Sequence, residues 1–213
     1  VKPLAIDLFC GLGGWTDGLL AESWDVVGFD IERHVYGEHR YSAQIVIQDV
    51  LTIHGKQFKT ADLIVASPPR QEYSYMAMPW SRAKAIAAEY RSGKRDVKKL
   101  TALFDACFRI QREACEAAGR HIPLVVENVR GAIQWVGRSR WNFGGFHLWG
   151  DVPAIMPRGQ HRKQEGNPSW FHANHEKSAR RFGSKSRERK EWSAMIAKIP
   201  LPPSRHIAAV YHP

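Results

Sequence analysis

Five short apolar runs punctuate the first 130 residues, and each ends in a glycine turn or a polar residue. Leu4 to Phe9 leads into Cys10-Gly11-Leu12-Gly13-Gly14; Val26 to Phe29 ends at Asp30; Ala43 to Val50, with Ile45-Val46-Ile47 at its centre, finishes at Asp49. Leu63 to Ala66 delivers Ser67-Pro68-Pro69-Arg70, and Pro123 to Val126 delivers Glu127-Asn128-Val129. Apolar runs of this length, bounded by turn residues, fit strands buried on both faces. Between them the period changes to a helical one: Trp15, Leu19 and Leu20 after the first run, and Leu100, Leu103, Phe104, Cys107 and Phe108 before the last. Strands alternating with helices predict an α/β fold with a doubly wound, mostly parallel sheet. Ligands of such sheets gather at the carboxyl ends of the strands, where these polar residues fall.

The first turn has chemical content of its own. Its glycines let the backbone turn tightly and approach a ligand, and the helix that follows offers N–H groups without intrahelical partners. Asp30 follows Gly11 by 19 residues, the spacing at which an acid on the second strand of a βαβ nucleotide site accepts hydrogen bonds from ribose hydroxyls. The stretch Ala61 to Ser74, ADLIVASPPRQEYS, is a strand running into a Pro-Pro turn that stiffens the loop leaving it.

The chain carries a formal net charge of +10, concentrated in two segments. Arg158 to Lys190 holds ten Lys/Arg against three Glu, and Arg82 to Lys99 holds seven against Glu89 and Asp96. Basic charge interleaved with Trp170, Phe171 and Phe182 suits a phosphate backbone, with a solvated basic face as the alternative. At 213 residues one domain with a small appendage is expected, and no apolar run is long enough to span a membrane. Three cysteines, Cys10, Cys107 and Cys115, show no ligand spacing, which predicts a reducing cytoplasmic location and no metal. The N-terminus reads as a strand and not as a secretory signal. Cys107 lies on the apolar stripe of its helix and reads as core.

Ser81 to Lys99 reads as basic and loosely helical, broken near Ser92-Gly93, with a mobile loop expected. Phe146 to Trp149 reads as one more strand. The expected division is a core over 1–150, a short basic DNA-contacting segment over 151–190, and a C-terminal segment over 191–213 that packs back on the core. In that last segment Ala194 to Ile199 reads as strand or turn, and Ile207 to Tyr211 as a short helix.

Taken in order, DLFCGLGGWTDGL, GFDIE, QDV, SPPRQEYS and VVENV resemble the motifs of the cytosine carbon-5 DNA methyltransferases. Short phage-type members are the most similar, and IPLPPSRHIAA resembles the family's final motif, which folds back beside the first. The resemblance implies an S-adenosylmethionine-dependent methyltransferase fold, with S-adenosylhomocysteine as product. It also implies double-stranded DNA as partner and a reduced basic appendage in place of a full target-recognition domain; a monomer is expected. By motif, Phe9, Gly11, Leu12, Gly13, Gly14 and Pro68 would line the methionine portion of the cofactor. Asp30 would hold its ribose, Ile31 would pack on adenine, and Asp49 with Val50 would meet the adenine amino group. Glu127 matches the glutamate that hydrogen-bonds ring nitrogen 3 of a flipped cytosine. Gln71 and Ser74 fall on the loop that closes over that nucleotide, and Arg162, Lys163, Arg180 and Arg181 are the expected phosphate contacts.

Arg70 stands where the resemblance places the family's nucleophilic cysteine. A guanidinium stays protonated and has no lone pair for attack on carbon 6, so methyl transfer is expected to be impaired in this sequence. Two alternatives remain at this stage. One is a non-catalytic DNA-binding protein with a methyltransferase fold, in which Arg70 meets a phosphate or a base. The other is an amino-methyltransferase acting on adenine or cytosine, whose small-polar-Pro-Pro-aromatic signature Ser67-Pro68-Pro69 meets in three of four positions.

Overall fold

The computed structural model describes residues 1–70, 73, 80–157, 182–183 and 186–213. In chain order the elements begin with β1 (Leu4–Leu8), α1 (Gly14–Ala21), β2 (Asp25–Asp30), β3 (Val35–Tyr36), β4 (His39–Arg40), β5 (Gln44–Ile47) and β6 (Leu63–Ala66). They continue with α2 (Trp80–Arg91), α3 (Val97–Ala118), β7 (Leu124–Val129), α4 (Ile133–Val136), β8 (Trp141–Phe143), β9 (Phe146–Gly150), α5 (Arg187–Ala197) and α6 (Leu201–Tyr211). The main sheet has seven strands in the order β5-β2-β1-β6-β7-β9-β8. The first five are mutually parallel, and β9 and β8 close the edge antiparallel. The direction of winding reverses between β1 and β6, the crevice at which open α/β sheets bind ligands. This is the doubly wound, mostly parallel α/β architecture that the resemblance implies.

Alternation along the central strands builds two cores. Ile6, Leu8, Ile64, Ala66, Leu124 and Val126 face α3, where Leu100, Phe104 and Cys107 of the stripe read from sequence are joined by Ile110 and Ala114, while Leu103 and Phe108 are only partly buried. Ala5, Leu63, Val65 and Val125 face the other way, against Trp15 and Leu19 of α1 and Ile207 and Ala208 of α6. Each fully buried Leu or Ile of these layers contributes about 1.5–3 kcal/mol of transfer free energy. The odd-numbered face of β1 and β7 is therefore the one on which Asp7 and Glu127 also lie.

Helix α6 rests directly on α1, with the Trp24 indole N–H donating to the Ala208 carbonyl at 3.1 Å. Two glycines permit that approach: a Cβ on Gly18 would come within 2.5 Å of the Arg205 nitrogen, and one on Gly14 within 2.5 Å of the Ile199 nitrogen. Ile199, two residues before α6, thus closes over the glycine-rich turn.

Several expectations are corrected. Over Ser81 to Lys99 the helical reading and the break near Ser92-Gly93 hold, since α2 ends at Arg91 and a turn follows, but α2 is a regular twelve-residue helix in place of the mobile loop expected there; its buried positions include Ala83, Ala87 and Tyr90. Ala194 to Ile199 lies mostly within helix α5, capped by the Ser186 side chain, and not in a strand or turn. Pro202 and Pro203 occupy the first turn of α6, where a missing N–H costs nothing, so that helix begins earlier than the prolines suggest. Strand β5 stops at Ile47, two residues short of Asp49, and β7 continues through Val129. The β3–β4 hairpin and β8 were not anticipated. Most of the basic segment expected to contact DNA lies outside the described residues. No described helix is long and apolar enough to cross a membrane.

Candidate active site

The carboxyl ends of β1, β2, β6 and β7 bring the candidate residues to one edge, in two groups. The first group surrounds the glycine-rich turn. Among the described residues Phe9 is one of two non-glycine residues with positive φ (58°), followed by Gly11 (51°) and Gly13 (77°), so the chain leaves β1 through left-handed positions that glycine alone adopts without strain. Gly13 is the N-cap of α1 and supplies no side-chain cap.

Asp30 organises this turn from the neighbouring strand. Its Oδ2 accepts the Gly11 N–H at 2.9 Å and its Oδ1 the Ile31 N–H at 2.8 Å, and the His34 ring lies 3.7 Å from Oδ1. Burial pushes the Asp30 carboxyl up, but His34 and the Gly11 N–H outweigh it and hold it below the usual range. Reciprocally, Asp30 raises His34 against the opposing effect of burial. Ile31 is 69% exposed beside this acid, an apolar wall without a cover among the described residues. Leu12 and Val50 are buried, and Gly14 lies under Ile199. Asp49 caps the short 3-10 turn that follows β5, accepting the Leu51 N–H at 2.9 Å.

Beneath the turn lies Asp7, fully buried, which was not singled out from sequence although an acid inside the apolar run LAIDLF is a usable signal. Its Oδ2 accepts from the Thr16 hydroxyl at 2.7 Å, and Oδ1 has no partner among the described residues. The Tyr41 hydroxyl completes a short chain, 2.7 Å from Thr16 Oγ1. Burial, only partly offset by Thr16, pushes Asp7 up to about 7.

The second group surrounds Glu127. This residue lies inside β7, paired in register with Leu148 of β9, and its side chain is 1% exposed. Asn128, the next residue, donates from Nδ2 to the Pro68 carbonyl at 3.0 Å and so ties β7 to the Pro-Pro turn. That turn presents Arg70. Arg70 Nη2 donates to Glu127 Oε2 at 2.9 Å and to the Ala197 carbonyl at 2.7 Å, and its guanidinium carbon lies 5.3 Å from the centre of the Phe146 ring. The Ala197 carbonyl belongs to the last turn of α5, whose terminal oxygens lack helical partners and carry partial negative charge. Burial raises the Glu127 carboxyl despite the Arg70 charge that pulls it down. Neither Phe146 nor Ala197 was visible as a site residue in sequence: Ala197 is 127 residues from Arg70.

Two cysteines are excluded as replacement nucleophiles. Cys10 and Cys107 are both buried, and burial raises both thiols well above neutrality, further helped at Cys10 by Asp7 and Asp30. Cys115 accepts the Ile122 N–H at 3.2 Å. Gln71, Ser74, Arg162, Lys163, Arg180 and Arg181 lie outside the described residues. Among the described residues no cluster of His, Cys, Asp or Glu could hold a metal ion.

The chain is similar to several solved methyltransferase structures. One, described as a prophage-encoded DNA modification methyltransferase of E. coli, is 23% identical, with a TM-score of 0.41 over 62% of this chain and 34% of that one. The S. pombe Dnmt2 methyltransferase is 14% identical, with a TM-score of 0.39 over 64% and 37% of the two chains. The Entamoeba histolytica methyltransferase EhMeth is 15% identical, with a TM-score of 0.46 over 78% and 58%. The chain thus matches about a third of the length of the first two and somewhat over half of the third. Among curated proteins none matches. The family model described as C-5 cytosine-specific DNA methylase matches residues 4–134, from the first residue of β1 into α4, and the chain belongs to that family.

Proposed function

We propose that the chain binds S-adenosylmethionine at the glycine-rich turn and double-stranded DNA across the Glu127 end, in the frame of a DNA cytosine-5 methyltransferase. Methyl transfer is impaired in this sequence by Arg70. The observation that carries the reading is the placement of Asp30 on β2 and Glu127 on β7 at one sheet edge, on either side of the β1–β6 switch point.

The residues present fit the cofactor. A ligand without phosphate still needs close backbone approach, a hydroxyl acceptor and a flat apolar wall; the positive-φ turn, Asp30 and exposed Ile31 offer these three. Phe9, Gly11, Leu12, Gly13, Gly14 and Pro68 would surround its methionine portion, and Asp49 with Val50 its adenine. Bound there, the cofactor supplies an electrophilic methyl group.

Cytosine carbon 5 is a weak nucleophile until carbon 6 is attacked and ring nitrogen 3 receives a hydrogen bond or proton. Glu127 suits the second task, because burial raises its affinity for the proton that the ring nitrogen must receive or share. Position 70 would have to provide the first, and arginine cannot. The reaction is tested by tritiated methyl transfer to duplex DNA. The parent is expected to stay at background and Arg70→Cys to rise above it by orders of magnitude. A folded Arg70→Cys protein that binds cofactor and DNA but transfers no methyl group rules the reading out.

A non-catalytic DNA-binding role is the second reading, favoured by the three contacts that hold Arg70 in place. No observation favours methyl transfer to an exocyclic nitrogen. A cytoplasmic monomer acting through the basic 151–190 segment remains part of the proposal.

A further inference from the structure

Glu127 and its surroundings form a receptor for a flat, cationic amidine. The carboxylate takes one N–H, the carbonyl at the end of α5 takes another direction, and the Phe146 ring lies within cation–π range at 5.3 Å. A cytosine protonated at ring nitrogen 3 presents the same chemistry on its N3–C4–N4 edge: a planar, delocalised N–C–N group with N–H donors. The guanidinium of Arg70 is that group built into the chain. It is held by two acceptors and an aromatic ring from three separate elements, with only 20% of the side chain exposed, so it is not a surface arginine that swings free.

We infer that Arg70 occupies the place of the target base, so that this protein binds duplex DNA with its bases left stacked and paired. The inference rests on the reading of the chain as a DNA-binding member of its family. It adds a second consequence to the lost thiolate: the Glu127 carboxylate is already satisfied on Oε2, and a base entering from the duplex would have to displace a charge-assisted hydrogen bond and a helix-terminal contact. A pocket that receives a base makes its owner prefer mispaired DNA, because extruding a mispaired base costs less than extruding a paired one. A filled pocket removes that preference.

The test compares binding of the full chain to two duplex pools with randomised flanks, one with a central C·G pair and one with a central C·A mismatch, by titration at fixed salt. The parent is expected to bind both within about twofold, and Arg70→Ala to favour the mismatch by roughly tenfold or more. A tenfold mismatch preference in the parent overturns the inference and leaves DNA binding intact. Equal binding of both pools by folded Arg70→Ala also overturns it, since emptying the site then admits no base. Absence of binding to either pool by both proteins overturns the DNA reading itself, and the inference with it. Should Arg70→Ala fail to fold around the uncompensated Glu127, Arg70→Ala/Glu127→Gln removes that charge and keeps an amide able to pair with the cytosine edge; the same outcomes apply. A merely structural ion pair would change stability without moving the mismatch ratio.

Discussion

Two carboxylates are buried on the same face of the sheet, Asp7 under the glycine-rich turn and Glu127 at the base end, and they are held in opposite ways. Each has one oxygen with a partner and one without among the described residues. Asp7 is served by a neutral hydroxyl, so burial prevails and its pKa is pushed to about 7. Glu127 is served by a guanidinium whose full charge at 2.9 Å opposes burial without overcoming it, so its partner is an ion and not a hydroxyl. The cofactor end is consequently made of backbone groups around a group that can neutralise itself. The base end is made of side chains that need one another. A loss at the first end is absorbed by protonation, whereas a loss at the second exposes a buried charge to an apolar surround.

The largest expected effect follows from the second case. Breaking a buried pair by removing one partner costs about 3–5 kcal/mol. Arg70→Ala is expected to lose that much at pH 8 in denaturant unfolding, less as the pH is lowered because burial raises the Glu127 carboxyl, and to regain most of it when Glu127→Gln is added. An Arg70→Ala protein as stable as the parent at pH 8 would show that the pair is a surface contact and end the contrast between the two ends.

Asp7 should produce a smaller and oppositely framed effect. A carboxyl raised from 3.8 to about 7 on folding contributes stability that is fully present below pH 4 and is lost as pH rises through 7. Between pH 5 and 8 the parent should lose about 2–3 kcal/mol from this group alone, and Asp7→Asn should not. Unfolding curves for the two proteins at a series of pH values measure the difference. Parallel pH profiles would place an unseen donor on the second oxygen and make the two ends alike.

The two ends were also unequally legible in sequence, for a physical reason. The cofactor end is local: Gly11 and Asp30 are 19 residues apart on adjacent strands, and the glycines announce a turn whatever surrounds them. Strand interiors were equally plain, since LIVA and LVV are apolar on both faces. The base end is non-local. Arg70 meets Glu127 across 57 residues and Ala197 across 127, and nothing in SPPRQEYS states which of its possible partners the guanidinium will choose. The end of α5 was misread as strand or turn because this helix has no fully buried residue to mark an apolar face. Asp49, assigned by motif to the cofactor, also closes a turn, a local use that the motif does not reveal.

The smallest expected effect sharpens the cofactor end. His34 is raised, chiefly by Asp30 and also by Glu32, while burial and Lys190 of α5 oppose; Asp30 is lowered. The pair is therefore at full strength above the ordinary carboxylate range and below pH 6.5. It weakens as pH rises through the raised value of His34, or falls through the lowered value of Asp30. With the His34 side chain 22% exposed and 3.7 Å from Asp30, the coupling should be worth less than about 1 kcal/mol. His34→Gln is expected to cost that amount at pH 5.5 and nothing at pH 9, measured by denaturant unfolding at both values. An equal cost at pH 5.5 and pH 9 would assign His34 to packing against Tyr36, whose ring it stacks on at 6.2 Å, and leave Asp30 held by backbone N–H groups alone.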